Sequence, residues 1–176
     1  QLTVLSLATG TANTEFEVLT GMSLDYFGVG EYPYQTILQN ETCESIAYNM
    51  KALGYTAHAI HNHSGDFYDR QNVFANLGFD TFTSVEYMQN VERNENGWAK
   101  DRVLTTEILK ALGSTQGEDL IYAISVQAHG QYPDGEGGED MPAFGEGTSR
   151  ASFEYYLGQI QEMDAFLGEL TDALER

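Results

Sequence analysis

Apolar residues recur along this chain at strand-like and helix-like spacings, and the changes between them divide it into elements. Residues 2–7 form a β-favouring apolar run, broken at Thr9-Gly10 ahead of a polar segment with helical character. In residues 45–53, Ile46, Met50 and Leu53 fall on one helical face, and Gly54 follows where a left-handed C-terminal cap is expected. Residues 55–60 then read as a second strand. Residues 70–77 predict a short helix closed by Gly78. Residues 101–112 predict a longer one, with Val103, Leu104, Ile108 and Leu112 inward and Gly113 closing. The run LIYAISV at 120–126 is almost continuously apolar, the pattern of a strand covered on both faces, and it is expected at the centre of the sheet. Residues 130–147, rich in glycine, proline and acids, predict a long surface loop. From 152 to 174 a sustained stripe through Phe153, Tyr156, Leu157, Ile160, Met163, Leu167, Leu170 and Leu174 predicts an amphipathic helix. Such alternation of strand and helix requires crossover connections. It therefore predicts an α/β fold with a mostly parallel sheet sandwiched by helices.

Composition narrows the picture. At 176 residues, 41% hydrophobic and 12% aromatic, the chain can bury a real core and is read as one domain over 1–176. With 27 acidic against 8 basic residues the net charge is −19, which argues against nucleic acid as a partner. No apolar run is long enough for a transmembrane helix, and the N-terminus lacks the basic flank of a signal peptide. Cys43 is alone, so no internal disulfide forms. The acids of residues 134–146 could hold calcium, but a solvated loop is the simpler reading of them, and no calcium is assigned.

In an open parallel sheet, ligands bind beyond the carboxyl ends of the strands. Three strands deliver three polar segments there: Thr11 after the first, His61-Asn62-His63 after the second, and Gln127 to Gly130, with His129, after the third. A threonine between strand and helix can act on a phosphate as a nucleophile, or can simply cap the helix. His58, His61 and His63 suggest a metal, but alternation along a strand lets at most two of them act together. Donation by His61, Arg70 and His129 to an anionic oxygen fits better. Phe67 and Tyr68 beside Arg70 would wall a glycerol or polyol pocket, or else pack in the core. Trp98 is read as the start of a helix packed on the core.

GTANTEFEVLTG at 10–21 is similar to the nucleophile segment of lipoteichoic acid synthases and related phosphoglycerol transferases. HNHSGDFYDR at 61–70 with LGFD at 77–80 resembles their substrate-binding segment, and SVQAHGQYP at 125–133 their later histidine segment. The likeness runs over nearly the whole chain, in order. It implies an alkaline-phosphatase-like sulfatase fold and a transferase acting on phosphatidylglycerol or related glycerophosphodiesters. Thr11 would be the nucleophile, and His61, Arg70, His129, Tyr68 and His63 would bind the glycerophosphate. It also implies a divalent metal, usually Mn2+, held by Thr11, an acid from an earlier strand and an Asp-His pair after the last helix. Those partners are expected to be missing from a domain truncated at both ends, leaving little or no turnover. The alternative is a non-catalytic domain that binds glycerol phosphate or phosphate. Sulfate-ester hydrolysis is disfavoured because Cys43 stands in the wrong place for its modified cysteine. The resemblance further implies the extracellular face of a Gram-positive membrane, and exposed sheet edges offer a route to dimers.

Overall fold

The computed structural model describes residues 10–130, 132 and 150–175. The expected strand at 2–7 and nearly all of the loop at 130–147, its acidic stretch included, lie outside them. Three strands, β1 (Thr56–His61), β2 (Thr81–Ser84) and β3 (Asp119–Ile124), form a parallel sheet in the order β2-β1-β3. The strand expected at the centre, β3, pairs with β1 alone among the described residues. Among the described residues β1 is central and β3 lies at one side. An apolar run reports covered faces and does not report which edges are paired. The alternation of β1 also explains the layering. Ala57 and Ala59 enter one core cluster while Ile60 enters the other.

The first cluster lies under α1 (Thr11–Thr20), α2 (Pro33–Thr36), α3 (Ile46–Ala52) and α4 (Arg70–Asn76), with Phe16, Tyr34, Phe74 and Leu77 fully or almost fully buried. The second is closed by Leu104 and Ile108 of α5 (Arg102–Leu112) and Phe166 of α6 (Arg150–Leu174). This is the helix-sheet-helix sandwich the alternation predicts. Ser45 caps α3, accepting from the amides of Ala47 and Tyr48, and Gly54 follows with φ +96 as expected of a left-handed stop. Strand β2 went unread because four residues, mostly half-exposed, carry no legible period.

His58 belongs to this framework and not to a metal site. It is 2% exposed, and its ring bridges Thr81 Oγ1 (2.7 Å) and Asp119 Oδ1 (3.2 Å), tying β1 to both neighbours. A second brace stands behind the strand ends. Asp101, fully buried, accepts from Asn62 Nδ2 (2.9 Å) and the Gln127 amide (3.3 Å), while its own amide donates to Gln127 Oε1 (2.7 Å). Gln127 Nε2 then donates to Gln159 Oε1 (3.0 Å) and Glu162 Oε2 (2.6 Å) on α6. Asn62 lies between His61 and His63, and Gln127 two residues before His129, so this network sets where the histidines leave the sheet.

Candidate active site

At the carboxyl end of the sheet a cavity of about 190 Å³ is lined by Thr11, His61, His63, Tyr68, Arg70 and His129, together with Gly10, Phe67, Trp98 and residues 124–126 at the end of β3. All six residues expected from the sequence thus meet at one mouth, drawn from α1, the ends of β1 and β3, and the turn before α4. Thr11 is exposed and is the first residue of α1. Gly10 occupies the N-cap, so capping does not explain the threonine. Its Oγ1 accepts from Arg70 Nη2 at 3.3 Å.

Arg70 differs from expectation. It is 1% exposed, and its Nε and Nη2 donate to Glu15 Oε2 (3.1 Å) and Oε1 (2.5 Å). Nη1 donates to the Phe67 carbonyl (3.2 Å). The two-point fork that would suit a phosphate is already taken by a carboxylate, so Arg70 offers the pocket an edge and not its fork. The turn that delivers it is strained: Tyr68 and Asp69 both adopt left-handed backbone, with φ 60 and 54. That strain stacks the Tyr68 ring on Tyr32, at 5.6 Å between centroids and 25° between planes, and 5.2 Å from the Arg70 guanidinium carbon.

His61 also changes character. Its Nδ1 lies 2.9 Å from the Ile124 carbonyl, so in the neutral ring Nδ1 carries the proton and Nε2 is an acceptor. Burial lowers its pKa to about 4, with Arg70 and His63 pushing the same way against the Ile124 hydrogen bond. His63 is lowered too, by burial and then by Arg70 and His129. At neutral pH both rings are uncharged, so His61 presents a lone pair where a donor to an anion was expected. The His129 Nδ1 meets the Gly130 carbonyl.

Two residues escaped the sequence reading. Trp98 lines the cavity, with ring centroids 4.9 Å from His129 and 5.4 Å from His63, and it precedes α5 by four residues, so it is not a helix start as expected. Its signal was a lone tryptophan in the polar stretch NENGW. Glu15 carried a positional signal, four residues after Thr11 on the same helical face.

Close packing at the mouth gives one direct expectation. A Cβ on Gly10 would overlap the Tyr68 hydroxyl, and that ring is held by Tyr32 and by its own strained backbone. Gly10→Ala is expected to destabilise the fold by about 1–3 kcal/mol in chemical denaturation. Adding Tyr68→Phe should recover part of the loss, and an unchanged midpoint for the single variant would refute the packing argument.

Among the described residues the donor set does not fit a metal ion: no carboxylate lines the cavity, both Glu15 oxygens face Arg70, and no three His, Cys, Asp or Glu side chains group to hold one.

Residues 3–176 match the family described as Sulfatase. A protein named for cyclic beta-1,2-glucan modification in Rhizobium meliloti (strain 1021) is 36% identical over 122 residues. Lipoteichoic acid synthase 2 of Bacillus subtilis (strain 168) is 28% identical over 126. Each alignment covers 69% of this chain and 19% of the relative, so the chain spans about a fifth of the relatives' length. The Streptococcus pyogenes phosphoglycerol transferase GacH, solved in complex with sn-glycerol-1-phosphate, superposes with a TM-score of 0.71 at 22% identity, over 96% of this chain and 46% of that one. A protein in the alkaline phosphatase superfamily from Vibrio parahaemolyticus superposes with a TM-score of 0.68 at 16% identity, over 95% of this chain and 39% of that one. With a family match along almost its entire length, the chain belongs to the sulfatase family.

Proposed function

We propose that this chain carries the headgroup pocket and nucleophile of a phosphoglycerol transferase acting on glycerophosphodiesters such as phosphatidylglycerol. The observation that carries the reading is the meeting of an exposed, uncapped Thr11 hydroxyl with Arg70, His61 and His129 in one small cavity at the carboxyl end of a parallel sheet. Support also comes from the relatives' names, lipoteichoic acid synthase and phosphoglycerol transferase.

Thr11 Oγ1 attacks phosphorus. The new Oγ–P bond replaces the P–O bond to the lipid alcohol, which departs with the proton given up by threonine, leaving a glycerophosphoryl-threonine. An acceptor hydroxyl then attacks phosphorus and restores the threonine. Arg70 donates toward the nucleophile, and His61 Nε2 accepts from a glycerol hydroxyl, the partner suited to a neutral ring. Tyr68, His63 and His129 enclose the glycerol. The acceptor is a glycan or polyol hydroxyl, in keeping with the glucan and lipoteichoic acid of the relatives' names. An extracellular site of action follows from the same likeness, and no described helix is long and apolar enough to cross a membrane.

A second reading, glycerophosphate binding without chemistry, is favoured by the lack of a metal donor set among the described residues. Calorimetry with sn-glycerol-1-phosphate and intact-mass analysis after incubation with phosphatidylglycerol vesicles separate the two. The transferase reading expects binding that weakens about tenfold in His129→Ala, and a glycerophosphoryl adduct that Thr11→Val lacks. Binding without an adduct selects the second reading, and no binding at all sinks both.

A further inference from the structure

Glu15 has no part in the chemistry just described, yet it is 4% exposed and meets Arg70 through both oxygens. Tyr34 and Tyr122 pack near it, their hydroxyls pushed above the usual phenol range by burial first and then by the Glu15 charge. A carboxylate in such surroundings holds its partner firmly, because few competing waters reach it. The clamp leaves Arg70 one specific set of directions: one Nη2 proton toward Glu15, the other toward Thr11 Oγ1 at 3.3 Å, and Nη1 toward the Phe67 carbonyl.

We propose that Glu15 is a positioning residue, which holds the Arg70 guanidinium in the orientation that aims a proton at the Thr11 hydroxyl oxygen. The inference rests on the reading of Thr11 as nucleophile and Arg70 as part of the phosphoglycerol pocket. Donation to Oγ1 favours the charge that develops there as the hydroxyl proton leaves. The same carboxylate offsets the Arg70 charge, so it weakens the general pull on an anion while fixing direction. These two effects give opposite expectations for Glu15→Gln, which removes the charge and one acceptor. A carboxylate acting only as a counter-charge predicts tighter binding of an anion in the variant. A positioning carboxylate predicts weaker binding. A purely structural one predicts a lower unfolding midpoint with unchanged binding by the folded fraction.

The test has two arms on the same chain. In the first, NMR follows the Arg70 Nε–H, which should be slow to exchange in the wild-type chain, fast in Glu15→Gln and intermediate in Glu15→Asp. In the second, calorimetry with sn-glycerol-1-phosphate should show affinity about tenfold lower in Glu15→Gln and partly restored in Glu15→Asp. The aspartate variant serves if the glutamine variant does not fold. Equal or tighter binding in a folded Glu15→Gln chain overturns the proposal, as does an Arg70 Nε–H that exchanges freely in the wild-type chain. A protected Nε–H that Glu15→Gln releases, in a wild-type chain that binds no glycerol phosphate, leaves the clamp standing and removes the functional reading instead.

Discussion

Replacing Arg70 with methionine is expected to lower the free energy of unfolding by about 3–5 kcal/mol, because it leaves the Glu15 carboxylate buried opposite an apolar side chain. Arg70 is among the largest fully buried side chains of the protein, and its hydrogen bonds join α1 to the strained turn at 67–69. The ion pair is a weak argument for net stability, since taking both charges out of water costs several kcal/mol, but breaking it from one side keeps that cost without the attraction. The double variant Arg70→Met/Glu15→Gln is therefore expected to recover most of the loss, a coupling that distant, independent sites do not show. Urea denaturation of the wild-type, single and double variants with unchanged m-values checks it. Equal losses in the single and double variants would mean that packing, and not the charge pair, holds the site together.

The second large effect concerns pH. With a folded pKa of about 4 against 6.5 for the free ring, His61 binds fewer protons folded than unfolded throughout that interval. Stability is thus complete above about pH 6.5 and is lost as pH falls toward 4, by about 3 kcal/mol at most, and the lowered pKa of His63 acts in the same direction. NMR of the imidazole should show the Nδ1–H tautomer through neutrality, with protonation only near pH 4. In His61→Asn, whose side-chain amide can still donate to the Ile124 carbonyl, the fall in stability between pH 6.5 and 4 should flatten. A ring that titrates near 6.5 would show that water reaches it and would return His61 to the role of a cationic donor.

Both expectations arise from contacts that no local pattern encodes. Helices at 45–53, 101–112 and 152–174 and the strands near 55–60 and 120–126 were legible because periodicity and stop residues act over a few neighbours. The short β2 was not, and the apolar run of β3 suggested a central strand where, among the described residues, β1 holds that place. At the site, the order strand, polar residue, helix placed Thr11, His61 and His129 at one rim, and the structure brings them to one cavity with Arg70, Tyr68 and His63. Trp98 was passed over because an aromatic residue near a helix start packs on the core more often than it lines a pocket.

Read alone, the sequence determined the longer helices and two of the three described strands, that the sheet is parallel, and which polar residues stand at its carboxyl end, since each of these depends on near neighbours. Only the tertiary structure decided what those residues can do. The Arg70 fork is closed by a carboxylate 55 positions away, and the His61 tautomer is set by a carbonyl 63 positions away. Charge state and donor direction depend on burial and strand register, and these come into being only when distant parts of the chain pack together.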